Sequence, residues 1–311
     1  MTTSGRPRIV VLGGINLNMV AVTARAPAAG QTVVGTRFLS YHGGKGANQA
    51  VAAARMGADV ALVGRVGDDA FGRELLAGLA ERGVDTKRVA VAEAVSSGVS
   101  LITVETGGQN RIIQVPGANH TCGPAEVERA RALLPGASML LLTLELPLQV
   151  VAAAAEAATA AGVPVMLDPG PAKPIPAELY RFCSVITPNE TEAATLVEFP
   201  VDDDASVVRA ARELQRRGAA SVVVKLGGRG AYVAIADSGE FVPAFAVASV
   251  DSVAAGDAFN GALAVALAEG WPLHEAVRVA SAAGALAVTR HGAQDAMPQR
   301  SEVEALLTEG K

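Results

Sequence analysis

The chain has 311 residues, of which 50% are hydrophobic, 18% are charged and only 4% are aromatic. These proportions exclude a globally disordered chain, because Ala, Val and Leu can supply a large buried core. The formal net charge of −5 at pH 7, without a basic cluster, argues against a nucleic-acid or membrane-surface partner.

The first third of the chain contains two kinds of predicted element. Apolar stretches bounded by glycines predict buried strands at residues 9–12 and 59–63 and helices at residues 47–56 and 70–81. Alternation of apolar and polar residues instead predicts half-exposed antiparallel strands at residues 30–40, 97–104 and 111–115, with a turn at residues 106–110. We expect these alternating strands to form a small sheet that stands apart from the main core.

Strands and helices alternate regularly after Pro124. The predicted order is a helix at residues 124–134, a strand at 139–142, a helix at 148–161, strands at 164–167 and 184–186, a helix at 205–217, a strand at 221–225, and helices at 256–269 and 273–287. Such alternation predicts βαβ units and a mostly parallel sheet with helices on both faces. We therefore expect one domain over residues 1–311, with an inserted β lid roughly within residues 16–40 and 97–116.

Neither a signal peptide nor a membrane span is expected. The apolar run at residues 9–12 is too short for a signal peptide, and Glu145 interrupts the apolar stretch at residues 140–155. Cys122 and Cys183 form no C-x-x-C pair, and buried free thiols are favoured over one disulfide. We therefore expect a cytoplasmic protein. No metal-ligand spacing is found among the four histidines, His42, His120, His274 and His291.

A glycine-rich loop at residues 41–50 runs from a strand into a helix. Its three glycines let the backbone approach a ligand closely, and the helix N-terminus favours anions or hydroxyl oxygens. The loop is not a Walker A motif, because Gly46 stands after Lys45 where Ser or Thr is required. A tight turn is the plain structural alternative, but Lys45 and Asn48 beside the glycines favour a ligand site.

Small residues at positions 251–262 lead into another helix, and Asp257 lies in its first turn. Consecutive N–H groups at a helix start form an anion-binding cradle. A helix N-cap is the structural alternative for Asp257. A carboxylate beside such a cradle can instead accept the proton of an attacking hydroxyl while the N–H groups hold a phosphoryl group.

Two further strand ends carry polar or glycine-rich sequences. Residues 187–192 lie where α/β proteins bind ligands, although a helix-capping box has the same pattern. Residues 225–230 combine a lysine with a glycine turn, for which an ordinary hairpin is the alternative. None of these segments forms G-x-G-x-x-G, so a nicotinamide-dependent dehydrogenase lacks its fingerprint here.

Together these segments resemble the signatures of the ribokinase (PfkB) family of carbohydrate kinases. The similarity runs from Val10 to about Leu306 and rests on Gly-Gly-Lys-Gly-Ala-Asn-Gln-Ala at residues 43–50, Thr-Pro-Asn-Glu-Thr-Glu-Ala at 187–193, Ala-Ala-Gly-Asp at 254–257 and Val-Thr-Arg-His-Gly-Ala-Gln at 288–294. The resemblance implies a three-layer αβα ribokinase-like fold, with a mostly parallel central sheet and a small inserted β-sheet lid.

The resemblance implies an enzyme that transfers the γ-phosphate of ATP to the 5-hydroxyl of D-ribose. Asp257 would be the base, and the N–H groups of Ala254, Ala255 and Gly256 would neutralise the transferring phosphoryl group. The implied sugar ligands, besides Asp257, are Asn16, Asn18, Gly44, Lys45, Asn48 and Glu145. The implied ATP ligands are Asn189, Lys225, Gly227, Gly228, Gly230, Gly256 and Ser281.

The same resemblance implies two metal sites and a dimer. Glu192 would hold Mg²⁺ through water. An activating monovalent cation such as K⁺ would be held, mostly through backbone carbonyls, by Asp251, Val253, Ala287, Arg290, Gly292 and Ala296. The β lid would close over the site and pair two subunits as a homodimer.

Three positions depart from the family pattern. Asn18, interpreted as lying at the end of the first strand, stands where Asp is usual, and the lost charged acceptor would cost about 1–2 kcal/mol. Ala296 stands where a hydroxyl side chain often completes the cation site, and Lys225 stands where Thr is frequent. Asn18 leaves open deoxyribose, fructose or a similar sugar, or a nucleoside. A sugar-binding regulator is the non-enzymatic alternative, against which the retained Asp257 argues.

Overall fold

A computed structural model describes residues 5–309. The strands are β1 (Arg8–Leu12), β2 (Asn16–Thr23), β3 (Arg37–Gly43), β4 (Asp59–Gly67), β5 (Val84–Ala92), β6 (Gly98–Glu105), β7 (Asn110–Val115), β8 (Met139–Thr143), β9 (Val165–Asp168), β10 (Val185–Ile186), β11 (Ser221–Lys225), β12 (Ala231–Ile235) and β13 (Ser238–Val242). The helices are α1 (Lys45–Arg55), α2 (Ala70–Glu81), α3 (Pro124–Arg131), α4 (Leu148–Ala160), α5 (Ala177–Phe182), α6 (Glu190–Val197), α7 (Asp204–Arg216), α8 (Ala255–Ala268), α9 (Leu273–Ala287) and α10 (Arg300–Glu309).

The strands form two separate sheets. The large sheet has nine strands in the order β13-β12-β11-β10-β9-β8-β1-β4-β5, and every neighbouring pair from β11 to β5 is parallel. The small sheet has four strands in the order β3-β2-β6-β7. These sheets confirm the predicted α/β fold class, with a mostly parallel main sheet and a small sheet apart from it.

Helices cover both faces of the large sheet. In β1, Ile9 and Val11 pack with α1, α2, α8, α9 and α10, whereas Val10 and Leu12 pack with α3 to α7. Both side-chain sets are fully buried. A strand covered on both faces needs apolar residues at every position, which explains why its sequence is a continuous apolar run.

Several predicted boundaries are wrong. Residues 30–36 form no strand, because β3 pairs with β2 only from Arg37 onwards and the preceding loop is mostly exposed. Asn16 and Asn18 do not end the first strand: β1 ends at Leu12, and both residues belong to β2 in the small sheet. The helix predicted at 124–134 ends at Arg131. The sequence analysis also missed β2, β5, β12, β13, α5, α6 and α10, most of which are short or largely exposed.

Within residues 5–309, no helix combines the length and the hydropathy that crossing a bilayer requires. Cys122 and Cys183 are both buried and free, as predicted.

Candidate active site

A cavity of about 890 Å³ lies between the small sheet and the carboxyl ends of the large sheet's strands. On the small-sheet side it is lined by Asn18, Ser100 and Gln114, which lie opposite one another across β2, β6 and β7. Residues in register on neighbouring strands project from the same face, so these three side chains form one polar row. The other walls come from the starts of α1 and α8 and from the end of β11.

Glu145 is a buried acceptor that joins the small sheet to α1. Its Oε1 accepts a hydrogen bond from Asn16 Nδ2 at 3.0 Å, and its Oε2 accepts from the backbone N–H of Lys45 at 2.7 Å. Burial raises the pKa of Glu145 to about 7, although the Lys45 ammonium opposes the shift. A Cβ at Gly14 would lie 2.4 Å from Glu145 Oε2, so only glycine fits at that position.

Asn16 is held in one orientation by Asn119. Asn119 Nδ2 donates to Asn16 Oδ1 at 2.7 Å, so the Asn16 amide presents its N–H₂ to Glu145. Asn119 also accepts from the Ile15 N–H at 3.0 Å. The sequence around Asn119 carried no signal of this role, because its partners lie 103 and 104 residues away along the chain.

The first turns of α1 bring three polar side chains to one side of the helix. Lys45, Asn48 and Gln49 stand at positions i, i+3 and i+4, which share a helix face. Asn48 Nδ2 donates to Asp257 Oδ2 at 2.9 Å, and Gln49 Nε2 donates to Asp257 Oδ1 at 3.1 Å. Gln49 Nε2 also donates to Asp168 Oδ2 at 2.7 Å, so one amide nitrogen bridges two carboxylates.

Close packing of α1 on α8 makes these contacts possible. A Cβ at Gly261 would lie 2.4 Å from the Cβ of Ala52, so the two helices approach at backbone distance. α8 begins at Ala255, and its N-cap is Ala254, which has a left-handed φ of 59°. The N-cap alternative for Asp257 is therefore wrong. The first N–H groups of a helix have no intrahelical acceptor, so the start of α8 can donate to an anion.

A cluster of charges lies at this junction. Lys45 Nζ is 3.1 Å from Asp168, 3.8 Å from Asp257 and 3.9 Å from Glu192. Burial disfavours the Lys45 ammonium, but these carboxylates outweigh it and raise the pKa of Lys45. Burial also raises the pKa of Asp257, which makes its carboxylate a stronger base than an exposed aspartate. Burial works against ionised Asp168, but Lys225 and Lys45 prevail and lower its pKa.

Residues 187–192 span the start of α6, and part of this segment lines the cavity. Asn189 Oδ1 accepts from the Glu192 N–H and Glu192 Oε2 accepts from the Asn189 N–H, each at 2.8 Å, so the capping box is confirmed. Asn189 nevertheless lines the cavity. The other carboxylate oxygen of Glu192, Oε1, lies 3.9 Å from Lys45 Nζ.

Residues 225–230 form the turn between antiparallel β11 and β12, as the hairpin alternative predicts. The turn also lines the cavity. The Lys225 N–H donates to Pro188 O at 2.8 Å, which places the turn beside Asn189. A Cβ at Gly256 would lie 3.6 Å from Lys225 Nζ, so this ammonium stands next to the start of α8.

The six residues predicted for a monovalent cation lie in two adjacent segments: the loop before α8, and the end of α9 with the loop that follows it. Asp251 joins the loops, because its Oδ1 accepts from the Val253 N–H at 3.0 Å and its Oδ2 from the Gly292 N–H at 3.1 Å. Ala287 O accepts from the Arg290 N–H at 3.4 Å. Of this set only Val253 lines the cavity; Asp251, Ala287, Arg290, Gly292 and Ala296 are not among its lining residues, and neither is Glu192.

Most of the other predicted site residues come together in the cavity wall: Asn16, Asn18, Gly44, Lys45, Asn48, Glu145, Asn189, Lys225, Gly227, Gly228, Gly230, Ala254, Ala255, Gly256, Asp257 and Ser281. The sequence analysis missed the lining loop that contains Ala244, Phe245, Ala246, Val247 and Ser249. It also missed Asp168 and Gln49. Asp168 did carry a signal, since it is a polar residue that ends an apolar strand.

The comparisons with known proteins agree with this geometry. Residues 6–300 match the family described as pfkB family carbohydrate kinase. The chain is 37% identical to the ribokinase of Haemophilus influenzae over 297 residues, covering 96% of this chain and 97% of that protein. It is 34% identical to the deoxyribokinase of Salmonella typhimurium, covering 96% and 98% of the two chains.

A solved structure of Arabidopsis thaliana ribokinase complexed with ribose and ATP superposes with a TM-score of 0.91. The two chains are 34% identical, and the match covers 97% of this chain and 99% of the plant enzyme. Family match, sequence relatives and structural neighbour agree over nearly the whole chain. This chain therefore belongs to the pfkB family of carbohydrate kinases, which are phosphotransferases that act on an alcohol group.

Proposed function

We propose that this chain transfers the γ-phosphoryl group of ATP to the 5-hydroxyl of D-ribose, with ribose 5-phosphate and ADP as products. The observation that carries the proposal is Asp257, a buried carboxylate with a raised pKa in the first turn of α8. It stands between the polar wall of the small sheet and the turn after β11. Similarity to ribokinases, one of them in complex with ribose and ATP, supports this pair of substrates.

Asp257 would accept the proton of the attacking hydroxyl. Asn48 and Gln49 each donate to one of its oxygens, so the carboxylate is fixed before the sugar arrives. The sugar hydroxyls would be held along the same end of the cavity by Asn16, Asn18, Gly44, Lys45, Asn48 and Glu145. Such positioning lowers the barrier because the hydroxyl already points at the phosphorus.

The transferring phosphoryl group would bind at the start of α8. Ala254, Ala255 and Gly256 line this end of the cavity, where their N–H groups would hold the phosphoryl group, and Lys225 adds a positive charge beside Gly256. The rest of the nucleotide would occupy the wall formed by Asn189, Gly227, Gly228, Gly230 and Ser281. As part of the proposal, residues 1–311 form one kinase domain whose small sheet is the lid, and its closure excludes water.

Two cations belong to the proposal. Glu192 fits a Mg²⁺ ion held through water, because one carboxylate oxygen closes the helix cap and the other is left on the side of Lys45. Bound Mg²⁺ would neutralise phosphate charge. For K⁺, the loops joined by Asp251 bring the predicted carbonyl-bearing residues into one region, and Ala296 supplies no side-chain oxygen there.

A homodimer through the small sheet and a cytoplasmic location complete the proposal. Phe38, Leu101, Ile113 and Val115 lie on the face of the small sheet opposite Asn18 and are 64%, 44%, 65% and 41% exposed. A second copy would cover this apolar surface. The free buried thiols suit a reducing compartment.

Deoxyribose is the second candidate substrate. The chain is 34% identical to deoxyribokinases, and Asn18 lines the cavity where the family usually has a carboxylate for ring hydroxyls. The remaining alternative substrates are fructose, a similar sugar or a nucleoside. The non-enzymatic alternative is a sugar-binding regulator without catalytic activity.

The substrate is tested by ADP release from ATP with Mg²⁺ and K⁺, using ribose, deoxyribose, fructose, tagatose and common nucleosides. We expect ribose to have the highest kcat/KM. If another acceptor has a higher kcat/KM, that acceptor replaces ribose in the proposal. If no acceptor leads to ADP release, the result favours a sugar-binding regulator without catalytic activity.

The mechanism is tested by Asp257→Asn. Loss of the base should lower kcat by about 10²–10⁴-fold with little change in ATP binding. Asp203→Asn is the matched control, because Asp203 is also a carboxylate at the start of a helix, where it caps α7. Retention of most activity in Asp257→Asn would exclude Asp257 as the base.

A further inference from the structure

Asp168 is a buried carboxylate that the proposed chemistry leaves unused. It is the last residue of β9 and is only 1% exposed. It is not among the described residues that line the cavity, whereas its partners Lys45 and Lys225 are. A buried charge in such a place needs partners, and its partners indicate its role.

The two oxygens of Asp168 bind different groups. Oδ2 accepts from Lys45 Nζ at 3.1 Å and from Gln49 Nε2 at 2.7 Å. Oδ1 is 3.4 Å from Lys225 Nζ, its charged partner on β11. The two ammonium groups lower the pKa of Asp168 despite burial, so the carboxylate is ionised and attracts both.

The two lysines line different parts of the cavity. Lys45 begins α1, next to the Asn16–Glu145 pair, where the acceptor sugar would bind. Lys225 stands beside Gly256 at the start of α8, where the phosphates would bind. Each ammonium has three N–H donors, and Asp168 engages one from each, so others can reach a ligand.

We propose that Asp168 is a positioning residue that holds Lys45 towards the acceptor and Lys225 towards the phosphates of ATP. One carboxylate that does not itself line the cavity thereby influences how tightly both substrates bind. This inference rests on the proposed function, because it assigns the two parts of the cavity to sugar and nucleotide.

The first test measures the dissociation constants of Mg²⁺–ATP and of ribose, each alone, by titration calorimetry. Asp168→Asn keeps the shape of the side chain and removes its charge. We expect both substrates to bind about tenfold more weakly. Glu126→Gln is the matched control, because Glu126 is also fully buried and is bound by Arg65 at 2.7 Å, away from the cavity. It should lower the melting temperature without changing either dissociation constant.

The second test separates positioning from a general structural effect. In a Lys225→Met background, adding Asp168→Asn should change ATP affinity by less than about twofold, while ribose still binds about tenfold more weakly through Lys45. The double variant lacks both charges of the pair, so this comparison stands even if Asp168→Asn alone does not fold. In the Lys225→Met background, clearly weaker ATP binding on adding Asp168→Asn, or unchanged ribose binding, would overturn the proposal. Failure of the proposed function would appear separately, as a wild-type protein that phosphorylates no ribose.

Discussion

Glu145 makes the stability of this protein depend on pH. Burial raises the pKa of its carboxyl from the ordinary 4.5 to about 7 in the folded chain. Between these values the folded state binds more protons than the unfolded state, so stability falls as pH rises. Integrating the two titrations from pH 5 to pH 8 gives a loss of about 2.5 kcal/mol from this one group.

Glu145→Gln removes that titration, so the variant should lack this part of the decline. The measurement is the free energy of unfolding in urea at pH 5 and pH 8, for both proteins. The free energy of unfolding of the variant minus that of the wild type should rise by about 2.5 kcal/mol between pH 5 and pH 8. The variant should also be less stable by an amount that does not depend on pH, because the substituted amide cannot accept every hydrogen bond that Glu145 accepts from Asn16 and Lys45. This constant loss cancels when the two pH values are compared.

Glu156→Gln is the control, since Glu156 is exposed on α4 and should follow the wild-type pH dependence. Parallel pH curves for the wild type and Glu145→Gln would refute the reasoning. They would mean that water or neighbouring donors stabilise the ionised carboxylate as well as bulk solvent does.

Three further predictions concern substrate, cation and assembly. Asn18→Asp should lower KM for ribose by about tenfold in steady-state kinetics, because a carboxylate is the stronger acceptor; a rise in KM would contradict this. Replacing Na⁺ with K⁺ at constant ionic strength should raise kcat, and identical rates would exclude an activating cation beside Asp251. Ile113→Asp should convert a dimer to a monomer in sedimentation analysis, whereas Val91→Asp, at another exposed apolar position on β5, should not; a monomeric wild type would refute the interface.

Some elements were predictable because their causes are local. The bounds of α2 and α9 match the predictions in full, since Asp69 caps the first and Pro272 precedes the second. The continuous apolar run of β1 and the glycines of the loop before α1 also carry their signals within a few residues. The same holds for the motifs on which the family resemblance rests.

Other features depend on contacts that no local pattern contains. β2 was missed because its pairing with β3 and β6 decides that residues 16–23 are a strand. The strand predicted from residue 30 was wrong in its first part, because the loop after β2 continues until β3 begins at Arg37. Which side chains of the small sheet face the cavity and which face outward depends on the pairing register of its strands. The sequence of half-exposed strands does not specify that register.

The site divides in the same way. The sequence alone marked Lys45 and Asn48 as residues of a ligand site and Asp257 as a carboxylate suited to phosphoryl transfer, because glycines and helix starts surround them. Only the tertiary structure shows that Asn48 and Asp257, 209 residues apart, share a hydrogen bond, and that Asp168 stands between two lysines. The reason is physical: backbone propensities act over neighbouring residues, whereas the pKa and orientation of a buried side chain depend on whichever distant groups the packing of α1, α8 and the sheet brings within a few ångströms.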